Sequence, residues 1–284
     1  MSATASGSVA AAAVLRGPND YKSDIKPVWC PGCGDFGVVN ALAKAMARMA
    51  LEPKDVAVVS GIGCSSRIPA YTSCYGFHGV HGRALPTATG LKIARPDLTV
   101  VVTGGDGDGY SIGGNHFLHA CRRNVDLTYI VMDNRVYGMT KGQPSPTTET
   151  GWTSRLAPHG TGLNEFHPMA IALAAGANFI ARGFTGDPNG LADIIVQAIE
   201  TPGFSFIEVL SPCITFRPEQ KDWKKMVRPG NLSSTADPAL AARQIFADDG
   251  MNLGVLYAGE RPPYQPPIGA ARMTPADLEA AFAL

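Results

Sequence analysis

Five short runs of this chain, DVAVVS (55–60), LTVVVTG (98–104), DLTYIVMD (126–133), NFIARG (178–183) and FSFIEVLS (204–211), read as strands, and the first is β-branched and apolar on both faces. A strand apolar on both faces belongs in a sheet covered on both sides, which is the habit of parallel sheets. Between the runs lie segments with helical spacing. Val39, Leu42, Ala43, Met46, Met49 and Ala50 recur every three or four residues and predict a helix to about Leu51. Further helices are expected within 85–95, over 111–123, and in FHPMAIALAAGA and LADIIVQAIE. Alternation of this kind predicts an α/β chain, a doubly wound parallel sheet with helices on both faces.

In such sheets ligands bind beyond the carboxyl ends of the strands. GIGCSS, GGDGDG, DNRVYG and SPC each follow a predicted strand, so four loops are expected to meet on one edge. The stretch 134–164 is rich in Gly, Pro, Ser and Thr and has no periodicity, as expected of a binding loop. Residues 1–19 read as a disordered arm and 20–215 as the α/β domain. The proline-rich remainder, 216–284, reads as an irregular extension covering the domain or a partner, with a helix over 238–246.

Composition removes several functions. The 24 basic and 24 acidic residues cancel without forming a stripe, which excludes the electrostatic footprint of a nucleic-acid binder. Charged residues are 17% of the chain, below the usual quarter, so part of the surface is expected to lie under another subunit. No apolar run reaches the roughly 20 residues of a membrane span. The start lacks a basic segment and its apolar stretch is mostly alanine, unlike a signal peptide. Six cysteines are too few for a disulfide scaffold and suit metal or redox work in the cytoplasm.

In VVTGGDGDGYSIGGNH, glycines let the backbone approach a ligand and N–H groups at the following helix suit a phosphate. Mg²⁺ is bound through one or two protein oxygens plus phosphates, and Asp106 is the expected first ligand. An EF-hand starting at Asp106 would place Tyr110, Ser111 and Phe117 where an oxygen ligand, Gly and Glu are required. A dinucleotide fingerprint fits only with a shifted register, and a plain glycine turn stays open. Asn134, after the next strand, adds a second side-chain oxygen at the same edge. In VWCPGCG, Cys30 and Cys33 form a C-x-x-C pair that alone fits a redox dithiol, half a zinc site or half an iron-sulfur site.

The G-D-G motif followed some twenty-five residues later by Asn resembles the thiamine diphosphate motif. Together with WCPGCG, GIGCSSR, HGRALPTATGLK and DNRVYGMTKGQPSPTT, it makes the chain from about Asp20 to about Cys213 resemble the β subunit of 2-oxoacid:ferredoxin oxidoreductases. The resemblance implies a thiamine diphosphate-binding fold with Asp106, Asn134 and the carbonyl of Val136 as Mg²⁺ ligands. It puts Gly105, Gly107, Asp108, Tyr137 and Gly138 against the diphosphate, and Cys64, Ser65 and Ser66 near the cofactor. His81 and Arg83 of HGR lie nearby on this view, with a structural hydrogen bond as the alternative. It further implies Cys30, Cys33, Cys64 and Cys213 as ligands of a [4Fe-4S] cluster. Cys121, on a helical face with Phe117 and Leu118, reads as a buried thiol, and Cys74 as a spare.

The implied activity is oxidative decarboxylation of a 2-oxoacid with coenzyme A, electrons passing to ferredoxin, in either direction. Thr140-Lys141-Gly142-Gln143 resembles the 2-oxoglutarate branch; Lys141 is expected to pair with the distal carboxylate of that substrate, with Arg67 as a second anchor. Pyruvate or broad specificity is the alternative. The family's activating glutamate comes from a second domain, for which this chain has no room, so an α subunit is expected to supply it in an αβ or (αβ)₂ assembly. Two other readings remain: a non-oxidative thiamine enzyme, and a binding protein held by a four-cysteine zinc site.

Overall fold

The strand order is β2-β1-β3-β4-β6-β5-β7, in a computed structural model that describes residues 16–265 and 274–282. The strands are β1 (Val56–Ser60), β2 (Tyr75–His78), β3 (Thr99–Gly105), β4 (Leu127–Asp133), β5 (Phe179–Phe184), β6 (Phe204–Leu210) and β7 (Gly254–Ala258). The first six run parallel, and β7 pairs antiparallel with β5. The helices are α1 (Asp35–Arg48), α2 (Ala84–Ala94), α3 (Gly114–Arg123), α4 (Pro168–Ala175), α5 (Pro188–Glu200), α6 (Trp223–Met226), α7 (Pro238–Ala247) and α8 (Pro275–Phe282).

Both sheet faces are covered over β1, β3, β4, β5 and β6, whose residues are almost all buried. Val56 and Val58 of β1 pack in one layer with Leu42 and Met46 of α1 and Ile195 of α5. Ala57 and Val59 pack in the other with Leu85 of α2, Phe117 of α3 and Met169 of α4. Local signals set the helix ends. Asp187 accepts the Gly190 N–H and is followed by Pro188 at the first position of α5. Asn124 ends α3 in the left-handed region, and its amide donates to the carbonyls of Arg261 and Pro262, pinning the extension.

The doubly wound sheet agrees with expectation; its edges differ. The edge strand β2 is four residues long and all exposed, its aromatic Tyr75 and Phe77 included, and so short a run does not read as a strand. The helix expected over 111–123 is two pieces, a π-helical turn over Gly107–Ile112 and then α3. The extension is not wholly irregular, since it adds β7 to the sheet and packs α7 against α4. Residues 1–15 of the expected arm lie outside the described residues. The rest of it is ordered: Arg16 pairs with Glu52 at 2.5 Å, and the adjoining Tyr21 is buried and donates to the Leu51 carbonyl at 2.6 Å. No helix among the described residues is long and apolar enough to cross a membrane.

The site is positioned by one topological step. After β1 the chain turns to the α1 side, where Ile68 and Tyr71 join the core. After β3, the neighbouring strand, it turns to the other side, where Tyr110 and Phe117 are buried. Adjacent loops leaving in opposite directions open a crevice at the carboxyl ends of β1 and β3.

Candidate cofactor site

That crevice holds a cavity of about 500 Å³ walled by the loops after β1, β3 and β4. Cys64 and Ser65 line it from the first loop; Gly105, Asp106, Gly107 and Asp108 from the second; Asn134, Val136, Tyr137 and Gly138 from the third; His81 completes the expected set. Ser66 does not line it: it is buried with its hydroxyl unpartnered, and its carbonyl accepts from Ser60.

Asp106 follows β3 directly and is 3% exposed. Its Oδ2 accepts from the hydroxyls of Ser145 and Thr147, the latter at 3.2 Å, and Thr147 Oγ1 also lies 2.7 Å from Asp133 Oδ1. Burial holds the Asp106 and Asp133 carboxyls above the ordinary carboxylate range, and Asp133 is raised further by the charge of Asp106. A divalent cation at this point favours the ionised form, so the donor set fits a metal.

Asn134 and Val136 are separated by Arg135, whose φ is +57°. A non-glycine residue in this region reverses the chain locally at a cost of about 1 to 3 kcal/mol. Its surroundings hold it there: the Arg135 N–H donates to Asp133 Oδ1 at 2.9 Å, its guanidinium donates to Glu149 at 2.6 Å, and it stacks on Trp223. The turn sets Asn134 and Val136 on one cavity wall, with the Val136 N–H donating to Asn134 Oδ1 at 3.1 Å.

Asp108 is an anchor. It is 3% exposed, and its Oδ1 accepts the N–H groups of Ile62 (2.9 Å) and Gly82 (2.8 Å) and lies 2.7 Å from His81 Nδ1. One carboxylate thus ties the loops after β1 and β2 to that after β3, and Gly61 is required because a Cβ there would lie 2.1 Å from Asp108 Oδ2. Gly107 has a similar reason, the Tyr137 ring lying 2.2 Å from where its Cβ would be.

Of the four cysteines expected to act together, Cys64 lines the cavity and Cys30, Cys33 and Cys213 do not. A Cβ on Gly138 would lie 3.6 Å from Cys213 Sγ and 3.8 Å from Cys64 Sγ, so both sulfurs border the cofactor loop. Cys30 is exposed; Cys33, Cys64 and Cys213 are half-buried. Burial pushes the Cys64 thiol up to about 11 and raises Cys33 and Cys213. Each of these three is also raised by the charge of Asp35. Among the described residues no three His, Cys, Asp or Glu side chains stand close enough to hold a single metal ion. Cys121 is buried, and Cys74 packs its sulfur 3.6 Å from that of Met46.

Arg67 and Lys141 are exposed and do not line the cavity; Lys141, at φ +84°, lines a neighbouring hollow with Trp152 and Phe216. Arg83 bonds the carbonyls of Gly82 and Ile112. Sequence reasoning missed Ser145 and Thr147, although they lie in the expected binding loop. It also missed Gln220, 1% exposed, whose amide donates to the Asn134 carbonyl and accepts the Cys213 N–H, each at 2.8 Å.

Residues 61–209 match the family described as thiamine pyrophosphate enzyme, C-terminal TPP binding domain. A 2-oxoacid:ferredoxin oxidoreductase β subunit of Aeropyrum pernix is 38% identical over 254 residues, covering 84% of this chain and 82% of that protein. The 2-oxoglutarate synthase subunit KorB of Methanocaldococcus jannaschii is 50% identical over 189 residues, 66% and 70% of the two chains. The 2-oxoglutarate oxidoreductase subunit KorB of Mycobacterium tuberculosis is 45% identical over 69% of this chain, which spans about half (53%) of that relative's length. Among solved structures, a 2-oxoglutarate:ferredoxin oxidoreductase from Magnetococcus marinus with 2-oxoglutarate, coenzyme A and succinyl-CoA bound superposes with a TM-score of 0.84. It is 41% identical, with 88% of this chain and 87% of that one covered.

Proposed function

Since this chain belongs to the β subunits of the 2-oxoacid:ferredoxin oxidoreductases, within the thiamine pyrophosphate enzymes, we propose that it is the cofactor-binding half of an enzyme that oxidatively decarboxylates 2-oxoglutarate. Coenzyme A takes the acyl group as succinyl-CoA, and a ferredoxin takes the electrons. The observation that carries this is the sharing of one cavity by Asp106, Asn134 and Cys64. A phosphate-metal site and a thiol site are thereby neighbours.

Asp106, Asn134 and the Val136 carbonyl would hold Mg²⁺, with two ligand positions supplied by a diphosphate seated against Gly105 and Gly107. Thiamine diphosphate, when bound, supplies the electron sink that decarboxylation of a 2-oxoacid requires. Ser145 and Thr147 orient the Asp106 carboxylate through its Oδ2. Asp108 keeps the loops after β1 and β2 closed on the cavity and fixes the His81 ring. Cys30, Cys33, Cys64 and Cys213 would hold a [4Fe-4S] cluster; the approach of the Cys64 and Cys213 sulfurs to one glycine, Gly138, supports this. Gln220 braces the metal loop against the Cys213 loop.

An α subunit would complete the site with its glutamate and close it over the exposed Arg67 and Lys141, which we retain as anchors for the distal carboxylate. We place the complex in the cytoplasm, whose reducing milieu suits six cysteines none of which is in a disulfide. The test is calorimetric titration of thiamine diphosphate with Mg²⁺ into the purified complex and its D106A variant: saturable binding lost in D106A is expected, and equal affinity would overturn the assignment.

A further inference from the structure

The motif HGRALPTATGLK runs through most of α2, and only its first residues serve the cofactor cavity: His81 lines it, and the Gly82 N–H bonds Asp108. Further along α2, Thr89, Gly90 and Ile93 line a second hollow of about 710 Å³, whose other walls include His116, Arg122 and Arg123 of α3 and Tyr264 of the extension. It shares no residue with the cofactor cavity. Its volume lies within the range of small-molecule sites, roughly 300 to 1,000 Å³.

No residue lining the hollow is acidic. Among the described residues Arg83, Arg122 and Arg123 pair with no carboxylate; the acid nearest to the last two in sequence, Asp126, pairs instead with Lys92 at 3.0 Å. Arginines at the end of a helix commonly meet its free carbonyls. At α3 that is done by Arg261, whose guanidinium donates to the carbonyls of Cys121 and Arg122 at 3.3 and 3.1 Å. Burial and the positive charges of Arg83, Arg123 and His119 hold the His116 imidazole below the ordinary histidine range. Like charges on neighbouring turns of a helix repel, and an anion among them relieves the repulsion. Gly90 points the same way. A Cβ there would meet nothing within 4 Å, so packing inside the chain does not call for glycine, which is a poor helix former. Its effect is to leave the α2 backbone open to the hollow.

Arginine suits phosphate, which its planar guanidinium meets through two parallel N–H donors. Residues 116 and 123 stand about two turns, roughly 10 Å, apart along one helix, so more than one phosphate is needed to engage His116, Arg122 and Arg123 together. Beside them Tyr264 and Ile93, each 41% exposed, offer an aromatic and an apolar surface, and the Tyr264 N–H is fixed to the Asn124 carbonyl at 2.9 Å. We propose that this hollow is a second ligand site built for a nucleotide, its phosphates on His116, Arg122 and Arg123 and its base against Tyr264 and Ile93.

Calorimetric titration of ATP into the purified complex, saturated with thiamine diphosphate and Mg²⁺, tests the site. One ATP is expected to bind per chain, at least tenfold more weakly in R122A/R123A, whose affinity for thiamine diphosphate is expected to match the wild type. G90L, which fills the hollow with a better helix former, is expected to keep the wild-type melting temperature and lose ATP. Y264A is expected to weaken ATP several-fold and leave inorganic pyrophosphate unchanged. Coenzyme A carries the same chemistry at its nucleotide end, and a tenfold loss for it alone in R122A/R123A would support the site with that end as its occupant. Wild-type affinity for both ATP and coenzyme A in R122A/R123A would overturn the proposal, as would pyrophosphate binding as tightly as ATP, which leaves the base no role. Dissociation of the complex in R122A/R123A, seen by sedimentation, would overturn it in favour of a subunit contact.

Discussion

The two ends of the cavity are built in opposite ways. At the phosphate end the side chains are supplied mainly by consecutive loops after adjacent strands β3 and β4, and the carboxylates are buried and bonded: Asp106 by two hydroxyls, Asp108 by two backbone N–H groups and His81. At the sulfur end the cysteines come from three distant segments, Cys30 exposed and Cys33, Cys64 and Cys213 half-buried, on loops joined by contacts such as Asp35–Ser211 and Gly34–Pro212. The first end is organised by the sheet; the second depends on contacts between loops. Disturbances at the phosphate end should thus abolish ligand binding within an intact fold, and those at the sulfur end should loosen the assembly. Gln220, bonded to Asn134 and Cys213, is the direct link between them.

The sharpest break is D106A, which removes the carboxylate proposed for the metal. Loss of a buried charge partner costs about 2 to 5 kcal/mol or more. Calorimetry should show thiamine diphosphate affinity reduced by a factor of thirty to several thousand while iron content stays at the wild-type level. The converse is C213S, for which iron content and visible absorbance should fall and thiamine diphosphate affinity should change less than in D106A. A chain that lost both ligands in either variant would erase the distinction between the two ends.

Removal of Arg182 tests whether the extension acts as part of the domain. Arg182 of β5 is paired with Glu208 of β6 and with Asp248 beyond α7. R182A leaves two buried carboxylates uncompensated, and denaturant melts should record a loss of about 3 to 5 kcal/mol. Little change there would mean that the extension contributes almost nothing to the sheet's stability. Smaller effects are expected from the supporting shell. T147V removes a hydroxyl shared by Asp106 and Asp133 and should weaken Mg²⁺-dependent binding about 10- to 100-fold, as changes behind a ligand commonly do. Q220A should cost about 1 to 3 kcal/mol through two unpaired backbone groups, and it should weaken both ends modestly, where D106A, T147V and C213S each favour one.

The same contrast governs what could be read in the sequence. Asp106 and Asn134 were legible because each follows a buried apolar run, and the strand end places it without knowledge of the remaining chain. Ser145 and Thr147 were hidden in an aperiodic stretch where one hydroxyl looks like another, and only the return of that loop beneath Asp106 gives them a role. Gln220 lies 86 residues from Asn134 and Ser211 lies 176 from Asp35, the partners that give them their roles. The strand β2 escaped because its run, Tyr75–His78, is only four residues long and interrupted by Gly76. Arg67 and Lys141 carried the right charge for a dicarboxylic substrate, but both stand outside the cavity, since spacing within a loop does not say which side of it a side chain will take.

The measurement closest to the central claim is anaerobic addition of 2-oxoglutarate and coenzyme A to the purified complex, with no ferredoxin, while the visible absorption of the cluster is followed. Two sites sharing one cavity predict that the wild-type absorption bleaches as electrons reach the cluster, and that D106A keeps its iron and colour but does not bleach. A colourless wild-type complex, or bleaching by substrate in D106A, would contradict the account.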